Sequence, residues 1–224
     1  MNIILLSSKP WHDKLFAELQ KDYHNHWYHI KRKEDFTEEQ LNHINPSWIF
    51  IPHWSDIIPA EIYTKWKCVV FHMTDLPYGR GGSPLQNLII RGHTQTKISA
   101  IAVEKGIDTG PVYLKKDLSL DGTAEEIFIR SANVIGDMIY EILFINPKPV
   151  DQKGEVLVFK RRKPEDGNIS SLTNIKNIYD HIRMLDAETY PKAFIETDHF
   201  KIEFTNAHLE NNEVITANVR IIKK

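Results

Sequence analysis

The stretch Asn2-Ile3-Ile4-Leu5-Leu6-Ser7 is a continuous apolar run, and the polar segment Ser8-Lys9-Pro10 follows it directly. An apolar run without polar alternation is typical of a parallel strand that is buried on both faces. A second run of this kind, Trp48-Ile49-Phe50-Ile51, ends at Pro52. Between the two runs, Thr37 and Gln40 have the spacing of a capping box, which predicts the start of a short helix. The first part of the chain therefore predicts strands that alternate with helices.

This alternation continues to about residue 143. We expect further strands at residues 27–31, 67–71, 97–103 and 112–114, and helices at residues 10–20, 62–66, 84–90 and 123–143. The pattern predicts an α/β fold over residues 1–150, with a Rossmann-like, mostly parallel sheet flanked by helices. After Asn146-Pro147-Lys148-Pro149 the expected strands are short, at residues 156–159, 201–204 and 214–222, around one helix at residues 175–185. Residues 151–224 are therefore expected to form a small mixed α+β C-terminal unit.

The composition argues against several classes of protein. The chain has 224 residues, of which 42% are hydrophobic and 26% charged, enough for a packed core without disulfides. The net charge is -2, and residues 151–224 hold 12 basic and 12 acidic side chains, so we expect no nucleic-acid partner. The single cysteine, Cys68, lies in an apolar run, which favours a buried residue. The apolar start is too short for a signal peptide and no later run could cross a membrane, so we predict a cytoplasmic protein without membrane contact.

A histidine and an aspartate lie next to glycine-rich segments that follow predicted strands. His72 ends the apolar run Cys68-Val69-Val70-Phe71, and a loop with Pro77 and three glycines follows it. Asp108 lies in the turn Lys105-Gly106-Ile107-Asp108-Thr109-Gly110, after another predicted strand. Open α/β sheets hold ligands at the carboxyl ends of their strands, and glycine lets the backbone approach a substrate closely. We therefore predict that His72 and Asp108 work as a pair in an active site.

The order of these elements resembles the folate-dependent formyltransferases, which transfer the formyl group of N10-formyltetrahydrofolate to an amine. The matching residues follow the order of the family's motifs over most of residues 45–145. They are His72, Leu76-Pro77, Arg80-Gly81, Pro84 and Asp108-Thr109-Gly110. Several spaced elements in the right order are more specific than a lone Asp-Thr-Gly. The loop at residues 79–87 is similar to that of sugar-nucleotide formyltransferases of pseudaminic-acid-type pathways.

The resemblance implies an enzyme that uses N10-formyltetrahydrofolate as its formyl donor and needs no metal. His72 would act as general base or oxyanion partner during attack of a neutral amine. Asp108 would hold the protonation states that let the proton move. The folate would lie against residues of the helix after Pro84 and of the strand and turn that lead to Asp108. These cofactor-binding residues are Gln86, Asn87, Ile90, Ala102, Val103 and Asp108. The expected substrate-binding residues are His53, Trp54, Thr74, Tyr78 and Arg80.

Two of the features that the sequence singles out have a structural alternative. Trp54 follows a predicted strand end, where it fits either the substrate pocket or the core. The run Lys160-Arg161-Arg162-Lys163 fits either the diphosphate of a sugar nucleotide or a solvated surface.

One position departs from the pattern of the family. The family has an asparagine two residues before the catalytic histidine, and this chain has Val70 there. The resemblance assigns to that amide the polarisation of the formyl oxygen, and valine cannot donate a hydrogen bond. Thr74, Asn87 and His53 are the candidates for the missing donor.

The resemblance also predicts an acceptor. The loop at residues 79–87 and the segment Tyr190-Pro191-Lys192-Ala193-Phe194, which is similar to the tail of several sugar formyltransferases, indicate a nucleotide-linked, in particular UDP-linked, 4-amino-4,6-dideoxy sugar. Methionyl-tRNA formyltransferases have a larger C-terminal domain, so methionyl-tRNA or another amine is the alternative acceptor. Val70 leaves a further alternative, a catalytically silent sugar-nucleotide binder. Residues 151–224 are assigned to substrate binding or to a homodimer contact.

Overall fold

The computed structural model describes residues 1–224, the whole chain. The strands are β1 (Asn2–Leu6), β2 (His26–Ile30), β3 (Trp48–Pro52), β4 (Cys68–His72), β5 (Tyr78–Gly81), β6 (Gln95–Ala102), β7 (Val112–Ser119), β8 (Leu157–Phe159), β9 (Ala193–Glu196), β10 (Phe200–Glu210) and β11 (Val214–Lys223). The helices are α1 (Trp11–Leu19), α2 (Glu38–Ile44), α3 (Ala60–Tyr63), α4 (Pro84–Ile89), α5 (Ala124–Ile145) and α6 (Ile175–Arg183). None of these helices has the length and apolar character that a membrane span requires.

Six strands form the central sheet, in the order β2-β1-β3-β4-β6-β7. β1 pairs in parallel with β2 and β3, and β3 pairs in parallel with β4. β6 runs antiparallel to β4. The predicted α/β fold with a mostly parallel sheet is therefore confirmed. Because β1, β3 and β4 run in the same direction, their carboxyl ends lie at one edge of the sheet, where folds of this class hold ligands.

The chain divides into two compact units, and each combines segments that are distant in the sequence. The first unit contains Met1–Gly81, Thr96–Leu118 and Ile129–Val158. The second contains Gly82–Gln95, Ser119–Phe128 and Phe159–Lys224. A functional boundary at residue 150 stays a prediction.

The core of the first unit forms on the central sheet. Every residue of β3 is buried, as the apolar run predicts. α2 begins after Thr37, whose hydroxyl accepts a hydrogen bond from the main-chain N–H of Gln40. Leu41 of this helix belongs to one apolar cluster with Ile49 and Ile51 of β3. Full burial of a side chain of this size stabilises the fold by about 1.5–3 kcal/mol, so the cluster holds the strands that carry the site in fixed positions.

The second unit contains a three-stranded antiparallel sheet in the order β11-β10-β9. The sequence predicts β11 and part of β10, but it misses β9, a strand of only four residues. β10 continues to Glu210, beyond the expected end at residue 204, with a register shift between Thr205 and His208. An irregularity of this kind breaks the alternation of side chains, which is why the pattern does not reveal the whole strand.

Candidate functional site

His72 is the last residue of β4 and is only 7% exposed. Its Nε2 lies 2.7 Å from the carbonyl oxygen of Gly79. A carbonyl can only accept a hydrogen bond, so Nε2 of the neutral ring carries the proton and donates it. Nδ1 then holds the lone pair, and this nitrogen lies 3.5 Å from Oδ2 of Asp108. The hydrogen bond to Gly79 thus makes Nδ1 the basic nitrogen of the site.

Asp108 lies in the turn between β6 and β7 and has a left-handed backbone, with a φ of 53°. Its Oδ2, the oxygen that faces His72, accepts a hydrogen bond of 2.8 Å from the main-chain N–H of Gly81. Gly81 has a φ of 99°, which favours glycine, so a side chain there would strain the backbone that binds the carboxylate. The structure therefore brings together the two residues that the sequence predicts as a pair.

A glutamine that the sequence analysis does not single out connects two loops of this site. Nε and Nη2 of Arg80 donate to Oε1 of Gln152, at 3.1 and 2.8 Å. Nε2 of Gln152 donates to the main-chain carbonyls of Asp108 and Gly110, both at 2.8 Å. Gln152 is 72 residues from Arg80 and belongs to no motif, so no sequence pattern indicates these contacts.

A second histidine stands beside His72 on the neighbouring strand. His53 directly follows β3 and has a left-handed backbone, with a φ of 51°. Because Pro52 of β3 pairs with Phe71 of β4, the next residues of the two strands, His53 and His72, are neighbours. Burial, with smaller effects of the Lys9 and His72 charges, lowers the pKa of His53 to about 3. His53 is therefore a neutral imidazole in the physiological pH range.

His12 lies in α1 and is completely buried. Its Nδ1 is 2.6 Å from Oγ of Ser7, and its buried Nε2 has no hydrogen-bond partner. Burial lowers the pKa of His12 well below the ordinary value of 6.5, and the charges of His53, His29 and Lys9 act in the same direction. The folded protein therefore disfavours the protonated form of this side chain.

The depressed pKa of His12 predicts that acid weakens the fold. Below pH 6.5 the unfolded chain binds a proton at this position that the folded chain does not bind, so stability falls as the pH decreases. The expected slope is at most about 1.4 kcal/mol per pH unit for this one residue. Urea unfolding between about pH 7.5 and pH 5 should show a shallower pH dependence for His12→Gln than for the wild type. His24→Gln, at an exposed position, is the control; equal slopes for all three proteins would contradict this assignment.

Val70 occupies the position at which the family has asparagine. It lies two residues before His72, so the two side chains share one face of β4. Val70 packs against the apolar cluster that contains Cys68 and Ile51. The place of the family's amide is therefore an apolar wall, and the hydrogen bond to the formyl oxygen needs another donor.

The three candidates for that donor have different surroundings. Thr74 is completely buried, and its hydroxyl donates to the carbonyl of Gly79 at 3.4 Å. Asn87 belongs to the second unit, where its amide is already in use. His53 stands next to His72 at the carboxyl edge of the sheet and is half-buried. The choice among these three donors stays a prediction.

Three predicted folate-binding residues, Gln86, Asn87 and Ile90, lie in or directly after α4, in the second unit. The side-chain amides of Gln86 and Asn87 donate to main-chain carbonyls. Asn87 donates three such hydrogen bonds of 3.0–3.1 Å, and Gln86 donates one of 3.1 Å. Ile90 follows α4 and is half-buried. The acceptors are Gly82, Ser83 and Lys160 for Asn87, and Met184 for Gln86. A folate contact of these residues stays a prediction.

The other residues that the sequence singles out are half-buried. Ala102 ends β6, Val103 follows it, and the N–H groups of both donate to main-chain carbonyls at 2.9 and 3.0 Å. Trp54 packs edge-on against Phe36, with ring centroids 6.5 Å apart, which favours the core over the pocket for this side chain. Tyr78 begins β5.

In the run at residues 160–163, Arg162 is half-buried and has a protein partner. Its Nη2 donates to the main-chain carbonyl of Asp166 at 2.5 Å, and burial lowers the pKa of the guanidinium. Lys160, Arg161 and Lys163 are exposed. This arrangement favours a solvated surface.

Comparisons with known proteins bear on this site. Residues 15–134 match the formyl transferase family model, and residues 164–222 match the model of the methionyl-tRNA formyltransferase C-terminal domain. A methionyl-tRNA formyltransferase structure from Clostridium thermocellum is 51% identical over 100% of both chains, with a TM-score of 0.97. A curated methionyl-tRNA formyltransferase from Thermodesulfovibrio yellowstonii is 30% identical over 81% of this chain. HypX from Aquifex aeolicus, crystallised with tetrahydrofolic acid, has a TM-score of 0.77 at 18% identity and covers 93% of this chain and 38% of its own.

These findings confirm the predicted formyltransferase class, whose members use N10-formyltetrahydrofolate as formyl donor. They contradict the predicted acceptor, a nucleotide-linked amino sugar of a pseudaminic-acid-type pathway, and the prediction of no nucleic-acid partner, because the similar proteins are methionyl-tRNA formyltransferases. A solved structure of a sugar N-formyltransferase from a Shewanella species is 15% identical to this chain, which shows a shared fold alone. The balanced charge of residues 151–224 does not exclude a nucleic-acid partner, because a total does not describe the charge of one binding face. The chain spans 61% of the length of the curated relative, so its own substrates remain proposals.

Proposed function

Since this chain belongs to the formyltransferase family, we propose that it transfers a formyl group from N10-formyltetrahydrofolate to the amino group of methionyl-tRNA. The observation that carries this acceptor is the match to a methionyl-tRNA formyltransferase structure over 100% of both chains at 51% identity. The match of residues 164–222 to the C-terminal domain of such enzymes supports it. A tRNA acceptor also agrees with the cytoplasmic location that the sequence predicts.

The geometry of His72 and Asp108 suits the removal of a proton from an amine. Nδ1 of His72 has its lone pair available because Nε2 donates to Gly79. An amine that attacks a formyl carbon becomes positively charged, and a base within hydrogen-bond reach makes this step easier by taking the proton. Oδ2 of Asp108, 3.5 Å from Nδ1, stabilises the imidazolium that results. His53 would donate the hydrogen bond to the formyl oxygen that the family's asparagine provides.

Exposed apolar side chains close in sequence to the pair support contact with the rings of a folate, whose pterin edge and glutamate tail are polar. Ile107, directly before Asp108, is 65% exposed, and Ile57, four residues after His53, is 83% exposed. Exposed isoleucines close in sequence to the proposed site residues can supply apolar surface of the kind that small-molecule sites use. When bound, the donor supplies the electrophilic formyl carbon. The chain's own residues orient the acceptor amine and hold its proton.

A transfer assay with defined acceptors tests the proposed function. Purified protein with N10-formyltetrahydrofolate should convert initiator methionyl-tRNA to formylmethionyl-tRNA, which mass spectrometry of the hydrolysed aminoacyl ester detects. N-acetylmethionyl-tRNA has a blocked amine and should not react. A UDP-linked 4-amino sugar should not gain a formyl group. Retained folate binding without any transfer to methionyl-tRNA would overturn the proposal and indicate that Val70 has silenced the site.

A further inference from the structure

We propose that Gln152 is a positioning residue for formyl transfer: it ties Arg80 to the turn of Asp108 and thereby aims the Asp108 carboxylate at Nδ1 of His72. This inference rests on the proposed function, since it assigns a role within the same site. Neither family match, at residues 15–134 or at residues 164–222, includes Gln152.

The amide of Gln152 uses all of its usual hydrogen-bonding positions. Oε1 accepts from two nitrogens of Arg80, and Nε2 donates to two main-chain carbonyls. A guanidinium can only donate and a carbonyl can only accept, so the reversed amide would oppose all four contacts. The orientation of the side chain is therefore determined by its partners.

The backbone next to Gln152 is also held in place. Val150 and Val112 exchange two main-chain hydrogen bonds of 2.8 and 2.9 Å. Val112 begins β7, so residue 150 is attached to the central sheet two residues before Gln152. The backbone near Gln152 is therefore fixed to the sheet, while its side chain binds the turn between β6 and β7.

The turn needs such support because its key residue has an unfavourable backbone. A left-handed backbone is uncommon for any residue other than glycine, although aspartate tolerates it better than most, and Asp108 has a φ of 53°. The Gln152 amide binds the carbonyl of Asp108, while the N–H of Gly81 binds its carboxylate. Arg80 and Gly81 are consecutive residues of β5. Gly81 binds the Asp108 carboxylate directly, and Arg80 binds Gln152, whose amide binds the Asp108 carbonyl. Loss of the Gln152 contacts would release the turn and change the distance from Asp108 to His72.

The substitution Gln152→Glu tests this inference with a minimal change of shape. One carboxylate oxygen of the glutamate can still accept from Arg80. The other oxygen replaces Nε2, the donor to the carbonyls of Asp108 and Gly110, and an oxygen cannot donate to them. We expect kcat to fall about 10- to 100-fold, while KM for the acceptor changes less than about threefold, because the reacting groups are misplaced and not removed. Gln95→Glu makes the same change at an exposed position of β6 and should keep the rate of the wild type.

A double-mutant cycle separates positioning from a general structural effect. If Gln152 acts through Asp108, then Gln152→Glu should lower the rate less than about threefold in an Asp108→Asn background. An equal loss in both backgrounds would overturn the inference. So would a folded Gln152→Glu variant with the rate of the wild type.

A readout without acceptor distinguishes failure of this inference from failure of the proposed function. In ¹⁵N NMR spectra of the protein alone, the ring resonances of His72 should shift in Gln152→Glu and not in Gln95→Glu. If the resonances shift but the wild type forms no formylmethionyl-tRNA, the acceptor is wrong and the role of Gln152 stands. If Gln152→Glu does not fold, Arg80→Lys replaces it: lysine offers one donor site instead of a fork, and the same shift with a loss of about tenfold is expected. Unchanged resonances in that variant would overturn the inference.

Discussion

Replacement of His72 by alanine is expected to lower kcat for formyl transfer by about 10²- to 10⁴-fold, the range that a positioned acid–base group contributes. Nδ1 of this ring is the nitrogen with a lone pair beside Asp108, and alanine removes it. The carbonyl of Gly79 loses its shorter hydrogen bond at the same time and keeps the 3.4 Å contact from the Thr74 hydroxyl. A typical hydrogen bond contributes about 0.5–1.5 kcal/mol, so a modest fall in stability should accompany the loss of activity.

Steady-state kinetics with methionyl-tRNA and urea unfolding of the same preparations check this expectation. His43→Ala removes an exposed imidazole from α2 and serves as the matched control. It should keep both the rate and the stability of the wild type. A His72→Ala protein with a kcat within tenfold of the wild type would show that another group takes the proton from the amine.

The sequence predicted the catalytic pair because both residues are adjacent to strong local signals. His72 ends an apolar run that can only be a buried strand, and Asp108 lies between two glycines of a turn. Each signal is readable within about ten residues, but β6 runs antiparallel to β4, so the carboxyl ends of these two strands lie at opposite edges of the sheet. Local patterns therefore sufficed for the strands of the central sheet, whereas the approach of Asp108 to His72 depends on the path of the turn after β6.

Gln152 was not predictable, for an equally physical reason. Its partners are two main-chain carbonyls, which every residue has, and an arginine 72 positions away. No residue type or spacing records such contacts. The bonds of Asn87 and Gln86 to main-chain carbonyls were not predictable for the same reason, and the folate contact expected of these residues stays a prediction.

The acceptor was misassigned because loop chemistry describes the reaction more than it describes the substrate. The Arg80-Gly81 loop and the Asp108 turn match motifs of the family, and formyl transfer is the reaction that the family's members share. The part of a substrate that differs between an amino sugar and an aminoacyl-tRNA lies away from the reacting amine. Its recognition depends on the shape and local charge of surfaces, which neither motifs nor the net charge of residues 151–224 reveal.

Replacement of Gly110 by alanine is expected to abolish most activity and to destabilise the protein by about 2–4 kcal/mol. A Cβ at this position would lie 1.7 Å from the carbonyl oxygen of Ala102 and 2.9 Å from its carbon. Both atoms belong to backbone, so the turn itself has to move. This turn carries Asp108, and the carbonyl of Gly110 binds Gln152. A shift of about 1 Å in catalytic groups can lower a rate about 100-fold, which is the loss expected in kcat.

Gly92→Ala is the matched control because it adds the same methyl group in open space. Gly92 has a φ of +80°, and no atom lies within 4 Å of the added Cβ. It should therefore cost only the backbone strain of about 1–2 kcal/mol and leave kcat unchanged. Both substitutions have the same effect on the freedom of the unfolded chain, so that contribution cancels between them. A lower kcat for Gly110→Ala than for Gly92→Ala therefore measures how closely formyl transfer depends on the position of the Asp108 turn, and equal kcat values would show that the turn can move without consequence for the reaction.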